Sequence, residues 1–205
     1  IVQNIRGDIS NFQWALNPDG NSNTTDDIPD VINNSWGSNI PSCLTAIRNV
    51  SNALEASGVA IVWSAGNSGP EPSTVFGRRS LNTSLVNTFT VGNIGPSYCE
   101  GTGSLLIKPE VVAPGEGIRS TQADGGYGLL SGTSFSAPHV SGAILLLKEA
   151  FPELPGSDLK LALYRSAIDL GATGEDNNYG TGLIDVFAAY EFLIDQGFSP
   201  TPPIS

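Results

Sequence analysis

The sequence predicts an α/β fold built on a mainly parallel sheet. Three observations predict it. Val59-Ala-Ile-Val-Trp63 is an unbroken apolar run preceded by glycine, the pattern of a strand covered on both faces. Strand-like and helix-like stretches alternate along the chain, as in βαβ units. Ser134–Ala150 is apolar nearly all round (Val140, Ala143, Ile144, Leu145, Leu146, Leu147), which predicts a central, buried helix.

Taken in order, Asn17–Asp30 (NPDGNSNTTDDIPD) reads as a surface loop, because Asn, Asp, Gly and Pro favour turns. Val31–Trp36 follows as a short strand ending at Gly37. Pro41–Ala56 reads as a helix with Leu44, Ile47, Val50 and Leu54 on one face, Ser42 as N-cap and Gly58 after its end. Thr88–Gly92 and Glu110–Ala113 read as strands. Pro138 is placed in the first turn of the Ser134–Ala150 helix, where its missing N–H is tolerated. Ser157 caps a helix through Ile168, and Asp185 caps a last one through Ile194 with Val186, Tyr190 and Leu193 inward. Gly197–Ser205 (GFSPTPPIS) is a Pro-rich tail or linker, so residues 1–196 form the folded part.

Composition removes several classes. A chain of 205 residues holds about one domain with a real core. Lys plus Arg number 9 against 20 Asp plus Glu, a net charge of −11. Such an acidic chain repels phosphate backbones and anionic lipid, so no nucleic-acid and no membrane partner is expected. The longest apolar run, Gly142–Leu147, falls far short of the ~20 residues of a membrane helix. The start, IVQNIR, is not a signal peptide, and with no Met in the chain it reads as a processed or excised piece. Cys43 and Cys99 fit one bridge or two free thiols, and a single His excludes a metal site of several imidazoles. Asp19, Asp26, Asp27 and Asp30 lack the spacing of an EF-hand and read as a solvated acidic loop, with Ca²⁺ as the alternative.

Three stretches can carry chemistry. In GTSFSAPHVSG (132–142), Ser134 sits where a loop enters the apolar helix. The positive end of the helix dipole and free N–H groups there favour an alkoxide and an oxyanion. The plainer reading is an N-cap serine. Asn67, in SAGNSGP after the buried run, can present its amide to an oxyanion; the plainer reading is a turn asparagine. Asn33-Asn-Ser35-Trp36-Gly37 lies at another strand end, and its plainer reading is an edge segment.

The segments VINNSWG (31–37), GVAIVWSAGNSGP (58–70), KPEVVAPG (108–115) and GTSFSAPHVSG (132–142), with GTGLID (180–185), resemble the C-terminal half of a subtilisin-like serine protease, or subtilase. The Asn-Asn-Ser-Trp-Gly run resembles bacillopeptidase F-like members in particular. The resemblance runs from about Gln13 to Phe192. It implies a subtilisin-like three-layer fold, helices on both faces of the sheet, with the N-terminal part absent. It implies Ser134 as nucleophile and Asn67 as oxyanion donor beside the Ser134 N–H. Ser35, Trp36 and Gly37 would pair with a substrate backbone, Ser64, Ala65 and Gly66 would line the opposite pocket wall, and Thr133 would join the substrate site. Trp36 and Trp63 would narrow or floor pockets. The substrate would be an extended polypeptide bound by strand addition. No cofactor is needed for that chemistry, while structural calcium fits the family. The resemblance also implies a secreted or cell-envelope protein.

One departure matters most. A serine nucleophile needs a general base and an orienting carboxylate. The family's Asp-Ser/Thr-Gly and His-Gly-Thr motifs are absent, and His139, five residues after Ser134 on a helix, points elsewhere and reads as structural. The chain alone is therefore expected to be inactive, with Asp and His on a missing upstream half. That half, another copy or a prodomain would cover an exposed apolar face. The alternative is a non-catalytic peptide-binding or scaffold module of the same fold. A structural sheet domain with no peptide site would require Ser134 and Asn67 to lie far apart. A second departure is a short join at Ile94–Gly95, expected to be exposed.

Overall fold

β2 (Ala60–Ser64) is buried along its whole length and feeds two cores. Ala60 and Val62 point to one, while Ile61 and Trp63 point to the other. That alternation is the period of a strand, and it puts apolar layers on both faces. The computed structural model describes residues 8–37, 45–69, 75, 84–93 and 107–202.

β2 pairs in parallel with β1 (Val31–Asn34) and β3 (Phe89–Asn93), and β3 pairs with β4 (Val111–Ala113). The order is β1-β2-β3-β4. The register sets Asn34 against Trp63, and Ser64 against Val91. All carboxyl ends therefore open on the same side, the place where α/β folds keep their sites.

The larger core lies between the sheet and α3 (Thr133–Ala150), α4 (Gly156–Arg165) and α5 (Val186–Asp195). Val140, Ile144 and Leu147 of α3, with Leu159 and Leu163 of α4, supply fully buried side chains. The second core takes Phe12 of α1 (Ile9–Trp14) and Val50 and Leu54 of α2 (Thr45–Ala56). Phe12 stacks on Trp63 at 6.2 Å between centroids. The fold is thus the expected three-layer α/β arrangement with helices on both faces of a parallel sheet.

Two elements escape the sequence reading. α1 is short, and its Asp8 N-cap accepts from the Asn11 N–H at 3.0 Å. β5 (Ile118–Thr121) and β6 (Tyr127–Leu130) form an antiparallel hairpin outside the main sheet. Its signal is the Ala-Asp-Gly-Gly turn between two short runs of strand formers.

Four local expectations are corrected. Ser134 does not cap α3. The cap is Gly132 at φ +138°, which makes no side-chain bond. Because α3 starts at Thr133, Pro138 lies beyond the first turn, inside the helix. α3 is not buried all round: Leu145 and Leu146 are 48 and 61 % exposed. Ser157 does not cap α4, which begins at Gly156 after Pro155 and ends at Arg165, because Ile168 leaves the helix to bridge Leu183. Asp185 does cap α5, accepting from the Ala188 N–H at 3.0 Å. Gly58 takes φ +92° after α2, as its place demands. In the Pro-rich end, the Thr201 N–H donates to the Ala150 carbonyl at 2.7 Å. Ser42, Cys43, Cys99 and Ile94–Gly95 lie outside the described residues.

Charges also sit inside the fold. Lys160 of α4 is fully buried and pairs with Glu55 of α2, whose carboxylate also accepts from the Ile61 N–H at 3.2 Å. Burial pushes the Glu55 carboxyl up and the Lys160 amine down, each opposed by the partner's charge. Lys108 pairs with Glu110, which receives the Thr90 N–H at 2.6 Å.

Candidate functional site

The carboxyl ends of β1 and β2 and the start of α3 meet at one cleft. It encloses about 340 Å³. Three segments line it: Ser35–Trp36 after β1, Ser64 with Gly66–Ser68 after β2, and Thr133–Ser134 at the start of α3. Residues 99 apart in sequence touch here, since the Ser35 hydroxyl donates to the Ser134 carbonyl at 2.8 Å.

Asn67 is fixed by Thr133. Its Oδ1 accepts from the Thr133 N–H at 2.9 Å and from the Thr133 hydroxyl at 3.0 Å. The same hydroxyl accepts from the Gly66 N–H at 3.0 Å. With the oxygen held on Thr133, Nδ2 is left as the donor end of the side chain. It lies close to Gly132, where an added Cβ would come within 2.9 Å of it. Gly132 also has φ +138°, so this position needs glycine for two reasons.

Ser134 is half-buried, and its hydroxyl reaches the Ser35 carbonyl at 3.4 Å. Its N–H belongs to the first turn of α3, which helical bonding leaves unpaired. His139 is exposed, and its Nδ1 lies 2.7 Å from the Phe135 carbonyl. It borders a separate apolar groove and is not among the cleft residues.

Some expected site residues stand apart from the cleft lining. Ala65 is buried, with its N–H on the Val91 carbonyl at 2.9 Å, and Gly37 is exposed beyond the cleft. Trp36 lines the cleft, whereas Trp63 is buried in the second core, 5.2 Å from Trp36 between centroids. Ser68 lines the cleft without having been singled out; its signal was its place directly after Asn67 in the matched segment. In the acidic loop, Asp27 accepts from the Asp19 N–H and Asp19 from the Asn21 N–H, both at 2.7 Å. Among the described residues no group of three or more His, Cys, Asp or Glu converges, and no helix is long and apolar enough to cross a membrane.

Known proteins are similar to this chain in sequence and in fold. Over 183 residues the chain is 34 % identical to subtilisin DY of Bacillus licheniformis, covering 88 % of this chain and 61 % of that protein. It is 33 % identical over 184 residues to subtilisin BL of Lederbergia lenta, covering 90 % and 63 %. It spans about three-fifths of the length of these curated relatives. The solved structure of the prenylagaramide maturation protease PagA superposes with a TM-score of 0.70 at 22 % identity, over 90 % of this chain and 66 % of that one. A protease of Pseudoalteromonas arctica PAMC 21717 gives 0.69 at 25 % identity, over 90 % and 57 %. The model of the subtilase family, peptidase S8, matches residues 6–182. This chain belongs to the subtilase family.

Proposed function

We propose that the chain is the C-terminal part of a subtilisin-like serine endopeptidase, of the bacillopeptidase F-like kind, exported to the cell envelope or beyond. Ser134 Oγ attacks the scissile carbonyl of an extended polypeptide. The carbonyl oxygen becomes an oxyanion held by Asn67 Nδ2 and the Ser134 N–H. The tetrahedral intermediate collapses to an acyl-enzyme and releases the amine, and water then frees the acid. The observation that carries this reading is the double anchoring of Asn67 Oδ1 on Thr133, the residue next to Ser134. It leaves Nδ2 as the donor end of a side chain that lines the same cleft as Ser134. It favours the peptidase over a structural sheet domain, for which the two residues would lie far apart.

The Ser134 proton needs a base, and among the described residues its Oγ meets no imidazole. An upstream segment of the same polypeptide supplies the His and the Asp. Two features support such a segment. Among the described residues, β1 has a strand partner on one side only. An apolar groove of about 740 Å³, bordered by Leu145, Leu146, Leu183 and Val186, lies open on the outer side of α3. Ser35–Gly37 pair with the substrate backbone on one side of the cleft, and Ser64–Gly66 form the opposite wall of the specificity pocket.

The test is an intact mass of the native protein together with a fluorophosphonate probe for activated serines. A mass well above 21.3 kDa with labelling at Ser134 supports the peptidase. A mass near 21.3 kDa with no labelling overturns it and leaves a non-catalytic peptide-binding module.

A further inference from the structure

We propose that the Ser35 hydroxyl positions the nucleophile by replacing a helix hydrogen bond that Pro138 deletes. The inference rests on the reading of Ser134 as nucleophile. In an α-helix the carbonyl of one residue accepts from the N–H four residues later. For Ser134 that residue is Pro138, which has no N–H and whose ring crowds the same carbonyl. A half-buried carbonyl is thereby left without its helical donor at the residue where geometry matters most. The Ser35 hydroxyl fills the vacancy from outside the helix, at 2.8 Å.

Ser35 is itself held. Asn33 Nδ2 donates to Ser35 Oγ at 2.9 Å, and Asn33 Oδ1 accepts from the Ser141 hydroxyl at 3.2 Å. Ser141 lies on α3, about two turns beyond Ser134 on the same side of the helix. From Asn33 the donors run in one direction, to Ser35 and on to Ser134, while the single Ser141 proton is shared between Asn33 Oδ1 and the Ala137 carbonyl, each at 3.2 Å. The string leaves α3, crosses to β1 and returns to the start of α3. A Ser35 proton committed to the Ser134 carbonyl requires its other neighbour to donate, and the amide of Asn33 does so. In the opposite sense, Ser134 Oγ reaches the Ser35 carbonyl at 3.4 Å. The two serines are thus linked reciprocally. Ser35 sets the backbone from which the nucleophile swings to attack, and such constellations must be held to about 0.5 Å. Asn33 and Ser141 act through Ser35.

The proposal predicts a rescue. In the native full-length protein, Ser35→Ala lowers kcat by roughly five- to tenfold, the worth of one hydrogen bond, with KM nearly unchanged. Ser35→Ala/Pro138→Ala recovers kcat to within about twofold of the parent, because replacing the proline restores the N–H facing the Ser134 carbonyl. Ser35→Thr, which keeps the hydroxyl, retains most of the rate. A contact between Ser35 and substrate alone would not be rescued from position 138, so absence of recovery overturns the proposal. A second readout does not need turnover. The ¹³C shift of the Ser134 carbonyl moves in Ser35→Ala and returns in the double variant; a carbonyl that ignores Ser35 also overturns it. An unlabelled, inactive parent sinks the peptidase reading, and the carbonyl shift still decides this one.

Discussion

Asn67 Oδ1 accepts two hydrogen bonds from one residue, the N–H and the hydroxyl of Thr133. An asparagine amide can flip, exchanging donor and acceptor ends. Two donors on one end remove that freedom, and Nδ2 is left as the donor end of a residue that lines the cleft. In the full-length protein Asn67→Ala lowers kcat by about 10²–10³ with little change in KM, as removal of an oxyanion donor does. Thr133→Ala keeps the N–H anchor and loses the hydroxyl, so its deficit is smaller, roughly three- to tenfold. Steady-state kinetics on a peptide substrate checks both, and equal losses for the two variants would contradict the hierarchy.

Gly132 precedes these residues at φ +138° with Asn67 Nδ2 close to its α-carbon. Gly132→Ala meets both strain and a contact. It lowers stability by about 1–3 kcal/mol and displaces Asn67. Urea denaturation alongside probe labelling checks this. A variant as stable and as readily labelled as the parent would show that the loop has room.

Lys160→Met strands the Glu55 carboxylate in the interior. Stability at pH 7 falls by about 3–5 kcal/mol, the usual result of breaking a buried pair from one side. Burial already raises the Glu55 carboxyl, and loss of the amine raises it further. A folded-state value above the unfolded ~4.3 gives stability that is present below ~4.3 and lost as pH rises through the folded value. The deficit of Lys160→Met is therefore smaller near pH 4 than at pH 7. Glu55→Gln/Lys160→Met regains much of the loss. Denaturation at the two pH values tests the sign.

Tyr164 donates its hydroxyl to Glu175 at 2.6 Å. Burial first, and then this carboxylate, push the phenol above its ordinary value. The contribution is complete below the unfolded value of ~10 and declines as pH rises past it. Tyr164→Phe costs about 1–2 kcal/mol at neutral pH, and the gap to the parent narrows at alkaline pH. Thermal melts across that range would expose a gap that fails to narrow.

The open groove beside α3 makes a prediction about the isolated chain. With Leu146 61 % exposed, the 205-residue polypeptide self-associates in the absence of an upstream segment, and Leu146→Glu reduces that association. Light scattering on both forms decides it, and a clean monomer for the parent would show that the groove needs no cover.

Local chemistry made much of this molecule legible. The apolar run at Val59–Trp63 suited a strand covered on both faces, and β2 is buried throughout. Gly58, Asp185 and the helical spacing of Val50 and Leu54 marked their elements through φ freedom, capping and period, which act within a few residues. The spacing of GTSFSAPHVSG and the Asn67 segment carried the family. What the sequence could not supply were quantities set by contacts between distant segments. α3 starts at Thr133, whose N–H is taken by Asn67 Oδ1 from another segment, so Ser134 is off the cap and Pro138 inside the helix. The exposure of Leu145 and Leu146 was decided by which side of α3 the sheet covers, since a stretch apolar nearly all round carries little period to announce it. The string from Ser141 through Asn33 and Ser35 to Ser134 joins positions 99 and 108 apart, and no local rule pairs them. Short-range physics named the elements and the chemical groups. Long-range packing chose which hydroxyl stood near enough to replace the donor that Pro138 removes.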